Sequence, residues 1–391
     1  MKADVVIVGA RCAGAATALL LARAGARVVV VDRGRYGTDT LSTHALMRGA
    51  VLQLHRWGVL PAIVEQGTPK VTATTFSYAH EDVTVPIEAK YGIDGLYAPR
   101  RTLLDGLLSA VAVESGAEVV YGVTVDGLLH DADGRVRGVT AHAGGKQHTI
   151  DADLVIGADG MYSTIARRVG AAPILAGTHA AGVLYSYWDG LHEDAYHWIF
   201  RPGGSVGAIP TNGGTCVFVS QPAARFREQV RGDAVSAYRR LLREVCPEFA
   251  DRLDGATQLE GVHGFGGLPG FIRKSSGPGW ALVGDAGYFK DPATAHGITD
   301  ALRDAELLAR AVMTGTTAAL EQFEATRLDL SRRLFEITDE IASFPSDETV
   351  LQSLHREFSR EMAREVRMLA ALDPLPSPAP LPVAVAMRCG S

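Results

Sequence analysis

The chain has 391 residues, with 38 lysines and arginines against 44 aspartates and glutamates, so its formal net charge is −6. Hydrophobic residues make up 47% and charged residues 21%. That balance builds a sizeable core, and it excludes a chain disordered throughout and a dedicated nucleic-acid binder.

Residues 4–31 are mostly apolar, but Arg11, Arg23 and Arg27 interrupt them. No run there reaches the roughly 18–20 apolar residues that a bilayer demands. The expectation is a cytoplasmic protein without a membrane segment. Residues 4–8 (DVVIV) read as a buried parallel strand. A helix rich in alanine and leucine follows, closed by Gly25, and then a β-branched strand at 27–31 that ends at Asp32. Strand, helix and strand in that order form one right-handed unit on a parallel sheet.

Residues 45–66 read as helical, and 70–98 as strands in places. A loop, an amphipathic helix and a strand fill 97–122. Strands joined by a turn at 131–134 cover 119–143, and a further buried strand leads into Gly157. From about 171 to 274, glycine turns separate short strand-like runs, with a helical stretch at 233–245. An antiparallel sheet in a second domain fits this pattern. Residues 280–284 return to the buried-strand style. A long helix over 297–343, another over 347–372 and a proline-rich tail complete the chain. Cys12, Cys216, Cys246 and Cys389 are scattered, with no histidine at ligand spacing, so neither a metal site nor a disulfide framework is expected.

Three glycine turns carry the chemistry. In Gly9-Ala10-Arg11-Cys12-Ala13-Gly14, Arg11 stands where the dinucleotide fingerprint has its second glycine. Gly9 suits the tight turn, and Gly14 lets the helix approach the sheet. The helix start offers free N–H groups and a positive dipole end to a pyrophosphate. Asp32 stands where its carboxylate can accept hydrogen bonds from a ribose. The second turn is Gly157-Ala158-Asp159-Gly160, followed by Ser163, Arg167 and Arg168. The third is Gly284-Asp285-Ala286-Gly287, followed by Asp291-Pro292 and His296-Gly297-Ile298. Both aspartates fall at strand ends, where open α/β sheets bind ligands.

In this order the three turns resemble the FAD-binding signature of the flavoprotein monooxygenases that share the para-hydroxybenzoate hydroxylase fold. The resemblance implies an α/β fold with a Rossmann-like FAD-binding domain over 1–75, 99–170 and 275–345. It also implies an inserted, mostly antiparallel substrate domain over 76–98 and 171–274, a C-terminal helix over 346–372 and a tail over 373–391. Implied FAD contacts are Gly9, Ala10, Arg11, Gly14, Asp32 and Arg33 at the first turn, then Arg100 or Arg101, and Val125. Asp159 and Gly160, Gly284 and Asp285, and Pro292, Gly297 and Ile298 complete them.

The pattern departs from the family in two places. The arginine expected seven residues after Asp159 is one later, at Arg167. The string around Asp291 also resembles flavin-dependent halogenases and geranylgeranyl reductases, but both halogenase tryptophans are missing ahead of Ile209-Pro210. Lys90 and Lys290 are available, without support, as a halogenase lysine.

The activity implied is oxygenation of an aromatic or polyketide-like small molecule. NADPH or NADH reduces the flavin, O2 adds at C4a, and the hydroperoxide passes on a hydroxyl. His296 and His44 are the expected catalytic side chains, able to move protons near neutral pH. Tyr185, Tyr187, Trp198 and Phe200 alternate along candidate strands, and with Arg201 they are the expected substrate contacts. The alternatives are a reductase that saturates carbon–carbon double bonds, a halogenase served by a separate flavin reductase, and a scaffold without enzymatic activity. Oligomeric state stays open between monomer and homodimer.

Overall fold

A computed structural model describes residues 2–191, 193–230 and 232–375. β1 (Lys2–Val8), α1 (Cys12–Arg23) and β2 (Val28–Asp32) open the chain. Next come α2 (Arg48–Arg56), α3 (Leu60–Glu65), β3 (Ala73–Ser77), β4 (Asp82–Pro86), α4 (Arg101–Glu114) and β5 (Glu118–Tyr121). β6 (Thr124–His130), β7 (Val136–Ala143) and β8 (Lys146–Gly157) form a meander, followed by α5 (Thr164–Arg168) and β9 (Pro173–Ala176). β10 (Ala181–Asp189), β11 (Ala195–Arg201), β12 (Gly204–Thr211) and β13 (Gly214–Pro222) lead to α6 (Ala223–Gln229), α7 (Ala234–Val245) and α8 (Pro247–Arg252). Short strands follow: β14 (Thr257–Gln258), β15 (His263–Phe265), β16 (Phe271–Arg273), β17 (Ser276–Gly277), β18 (Trp280–Leu282) and β19 (Tyr288–Phe289). α9 (Gly297–Thr314), α10 (Thr317–Ile341) and α11 (Glu348–Ala370) end the described chain.

The first sheet runs β17-β18-β8-β1-β2-β5, with β6 and β7 continuing from β8. The β18, β8, β1, β2 and β5 pairings are parallel, so their C-terminal ends share one edge. Alternation sorts the side chains. Val5, Ile7, Val28 and Val30 join the core that includes α1 and α9, while Val6, Val8, Val29 and Val31 face the meander.

The turn after β1 requires glycine twice. Gly9 has φ +109°, and a Cβ there would lie 2.3 Å from the Ala158 carbonyl oxygen. A Cβ on Gly14 would lie 1.8 Å from the Gly9 oxygen. Helix and strand therefore approach backbone to backbone.

The second sheet runs β14-β10-β13-β12-β11-β3-β4, with β15 also on β10, and only β11 with β3 is parallel. Its edge comes from residues 73–86, so the domain boundary expected at 76 falls inside β3. One face, with Leu184, Trp188, Val206 and Val217, packs on α7 and α8. The other face, with Tyr185, Tyr187, Trp198 and Phe218, joins the core of the first sheet.

Two expected helices are each split. Gly315 ends α9 in left-handed backbone (φ 74°), and Thr316 then caps α10 by accepting the Ala319 N–H. The stretch 45–66 parts at Gly58, which also has φ 74°. Among the described residues no helix is long and apolar enough to cross a membrane. Cys12, Cys216 and Cys246 are buried and unpaired. Cys389 and the tail from 376 lie outside the described residues.

Candidate functional site

A cleft of about 320 Å³ opens at the C-terminal edge of the first sheet, lined by Ala10, Arg11, Asp32, Tyr36, Arg101 and Asp105, among others. Asp32 fixes its rim by accepting N–H groups from Ala10 (2.7 Å) and Gly34 (2.6 Å). Asp105 on α4 accepts the Cys12 N–H at 3.1 Å, taking one of the free N–H groups at the α1 N-terminus. Arg101 holds that carboxylate at 3.0 Å and is buried beside Cys12; burial lowers its pKa, but Asp105, Cys12 and Asp285 together raise it. Of the two arginines at the start of α4, Arg101 therefore belongs to the cleft.

Farther along the same edge lies Asp285. Its carboxylate makes no hydrogen bond among the described residues, and burial pushes its pKa up to about 7 against the pull of Arg101. A turn at Pro292–Thr294 and the left-handed Ala295 (φ 47°) then lead into α9. Pro292 and Gly297 are exposed in this otherwise covered stretch, and a Cβ on Gly297 would meet nothing within 4 Å. Asp291 ties the turn to the second sheet by accepting the Ala181 N–H at 2.7 Å.

The second sheet packs its Tyr185 and Tyr187 face into the core shared with the first sheet. Tyr187, Cys216 and Ile209 form one cross-strand row, and Tyr185, Phe218, Gly207 and Trp198 form the next. The 39–44 loop reaches both rows. Tyr185 Oη accepts the Ser42 N–H at 3.2 Å, and Tyr187 Oη lies 2.5 Å from His44 Nε2. His44 has φ 68°, is 1% exposed, and leaves Nδ1 without a partner. Burial, aided by Arg100 and Arg101, holds its pKa well below the imidazole range, so the ring is neutral. Arg100 stacks 3.5 Å from the Tyr187 ring centre and pairs with Glu260 (2.8 Å) and Asp39 (3.2 Å).

A profile described as an FAD binding domain matches residues 2–338. The chain belongs to that family. Its relatives include menaquinone reductase of Mycolicibacterium smegmatis, 28% identical over 80% of this chain and 77% of that protein. The 6-methylpretetramide 4-monooxygenase of Streptomyces rimosus is 28% identical over 77% of this chain and 73% of its own. Digeranylgeranylglycerophospholipid reductase of Methanothrix thermoacetophila is 29% identical over 81% and 80%. The flavin-dependent brominase Bmp2 has the same fold, with a TM-score of 0.78 at 18% identity over 95% of this chain and 94% of that one. The protein is an FAD-dependent oxidoreductase, and NAD(P)H is the reductant typical of monooxygenases in this family.

The cleft fits FAD. The glycine turn and the α1 N-terminus suit a pyrophosphate, Asp32 a ribose, and the unpartnered Asp285 the hydroxyls of a ribityl chain. The open space over Gly297 leaves the first turn of α9 free to face a flavin ring.

Several expected contacts lie elsewhere. Arg33 points to solvent, and Arg35 and Tyr36 line the cleft in its place, because the chain turns sharply after Asp32. Val125 is buried in the core on the meander face of the sheet. The Asp159 carboxylate is consumed by Ser163 and by the Thr164 and Ile165 N–H groups, so it caps α5. His296 is 1% exposed and packs against Asp300 and Glu365 behind α9, out of reach of substrate. Arg201 pairs with Glu248 of α8 at 2.7 Å, on the far side of the sheet. Trp198 is core, set against Tyr196 and Phe218. Phe200 packs against His355 of α11, a neighbour with no sequence signal.

Proposed function

We propose that this oxidoreductase is a monooxygenase acting on a planar, hydroxylated aromatic or polyketide-like molecule bound between the FAD cleft and the Tyr185–Tyr187 wall. The observation that carries the reading is the His44–Tyr187 pair. If Tyr187 donates to Nε2, His44 keeps a proton on Nδ1 and needs an acceptor. If Nε2 donates, the Tyr187 hydroxyl and Nδ1 both need partners. Either tautomer leaves a buried polar atom unsatisfied, at a cost of about 1–3 kcal/mol. A substrate hydroxyl or carbonyl would meet that need, whereas a hydrocarbon chain would not. Ring hydroxyls also enrich a substrate in electrons, as an electrophilic oxygen donor requires.

When bound, FAD supplies hydride acceptance and oxygen activation. The chain's own residues do the rest. Arg101 and the α1 N-terminus anchor phosphate, and Asp285 orients the ribityl chain. The α9 N-terminus stabilises negative charge on the ring. His44 and Tyr187 orient the substrate through their hydrogen bonds.

A second reading is reduction of carbon–carbon double bonds, favoured by the two relatives named as reductases. Oxygen consumption separates the two. The FAD-loaded protein, given NAD(P)H and a panel of phenolic polycycles, should consume O2 and release a hydroxylated product. Anaerobic saturation of an isoprenoid substrate, with no substrate-linked O2 uptake, would sink the monooxygenase reading.

A further inference from the structure

Behind the first turn of α9 lies a sealed cluster of charges that the proposed reaction leaves unused. Lys290, His296, Asp300, Arg303, Asp304, Arg327 and Glu365 are each at most 6% exposed. They come from the turn after β19 and from α9, α10 and α11. Lys290 Nζ lies 2.8 Å from Asp300 Oδ2. Arg303 reaches Asp300 (3.0 Å), Asp304 (2.8 Å) and Glu365 (2.8 Å), and Arg327 lies 2.9 Å from Asp304. Three fixed cations thus meet three carboxylates, and the cluster is neutral while His296 is neutral.

His296 can occupy two states without moving a heavy atom. Its Nδ1 lies 3.1 Å from Lys290 Nζ and 3.2 Å from Asp300 Oδ1. A neutral ring accepts from Lys290 at Nδ1. A protonated ring donates from Nδ1 to Asp300, while Lys290 keeps the other Asp300 oxygen. Nε2 faces Glu365 Oε2 at 3.2 Å in both states, and Phe358 covers the ring edge. The Tyr288 ring stands among Lys290, Arg303 and Arg327, and Asp285 lies on the cleft side. Donor atoms of His296, Asp300 and Glu365 lie within 4.8 Å of one another, but Lys290 and Arg303 already neutralise both carboxylates, so no cation is needed there.

His296 is also the N-cap residue of α9, directly before the exposed Gly297, and Ala301 of the same helix packs against Gly284, the neighbour of Asp285. We propose that His296 takes up the charge-compensating proton when the bound flavin is reduced. Hydride transfer from NAD(P)H oxidises the nicotinamide and brings two electrons and one proton to the flavin. This leaves one added negative charge at the α9 N-terminus. One proton from solvent then binds His296 Nδ1 and takes the cluster to a net charge of +1. Burial and Lys290 lower the pKa of His296, but Asp300 and Glu365 outweigh them and raise it above the ordinary imidazole value. Uptake therefore falls at higher pH than for a free imidazole. The inference rests on FAD in the cleft and not on the identity of the final electron acceptor, so it can fail while the monooxygenase reading stands.

Equilibrium titration of the FAD-loaded protein against redox dyes, from about pH 6.5 to 9, gives the proton count from the slope of midpoint potential against pH. The wild type should take up two protons per two electrons over part of this range, while the reduced flavin keeps the absorbance of its anion. His296→Gln should take up one throughout. A structural role for His296 could displace the potential but would leave the slope unchanged. Lys290→Met removes the cation nearest Nδ1 and should move the two-proton window to higher pH. One proton throughout in the wild type, an unaltered slope in His296→Gln, or an unmoved window in Lys290→Met would overturn the proposal. If His296→Gln fails to load FAD, the wild type and Lys290→Met decide it.

Discussion

At the residue scale, Asp285 shows how a binding group costs stability. Its pKa rises from 3.8 to about 7 on folding, mainly through burial. Between those values the folded state keeps a proton that the unfolded state loses, so its contribution to stability falls as pH rises through that window. Asp285→Asn removes the half-buried charge. In calorimetry it should raise the Tm of the FAD-free protein at about pH 8 and leave it unchanged near pH 4. The same variant should bind FAD at least about tenfold more weakly, consistent with one charged hydrogen bond. Unchanged flavin affinity would remove Asp285 from the site. Tyr187→Phe is the companion case on the opposite wall. It leaves both nitrogens of His44 unpaired, with an expected cost of about 1–3 kcal/mol by denaturant unfolding. The strand-end positions of Asp285 and Asp32 were legible from spacing, which places such acids at the edge of the sheet. Asp159 follows the same pattern but caps a helix, and no spacing distinguishes a carboxylate that turns outward from one consumed by its own turn.

At the element scale, α11 is joined to α9 through Glu365, whose carboxylate holds Arg303 in a site with no water-exposed surface. Breaking a buried pair from one side leaves a charge uncompensated and costs about 3–5 kcal/mol, whereas an exposed pair such as Asp4–Arg27 is worth about 0–1 kcal/mol. Glu365→Leu should therefore lower stability by several kcal/mol and Asp4→Ala by little. Equal losses would mean that the network carries no special weight. Gly315 presents the opposite economy. An added Cβ there meets nothing within 4 Å, so Gly315→Ala costs only the left-handed backbone, about 1 kcal/mol by denaturant titration. That also explains why the break between α9 and α10 escaped the sequence. Helical periodicity continues on both sides of Gly315, and a lone glycine is weak punctuation. The β3–β4 edge was hard to place for a related reason. Its polar ATTFS and DVTVP segments alternate weakly, and the parallel pairing of β3 to β11 joins residues more than a hundred positions apart.

At the scale of the whole molecule, the two sheets meet across the site through a few directed contacts. Asp291 holds the Ala181 N–H, His44 meets Tyr187, Tyr185 holds the Ser42 N–H, and Thr211 Oγ1 donates to the Ala98 carbonyl at 2.5 Å. Tyr185, Tyr187 and Trp198 belong to the same core as Ile7 of the first sheet and Leu19 of α1, so the halves share apolar burial as well as polar ties. A shared core of this kind couples unfolding, and a ligand bound at the seam should stabilise both halves together. Scanning calorimetry should show one transition whose midpoint climbs with FAD concentration, by the equivalent of about 2.7 kcal/mol when free FAD is a hundredfold above its dissociation constant. Asp285→Ala should keep the single transition and lose the climb, because it removes a cofactor contact without touching the seam. Two transitions, with the one from residues 171–274 indifferent to FAD, would show that the second sheet folds on its own and that the cofactor reads only the first. In that case the Tyr185–Tyr187 wall would be free to move relative to the flavin, and its orientation of substrate would depend on the 39–44 loop alone.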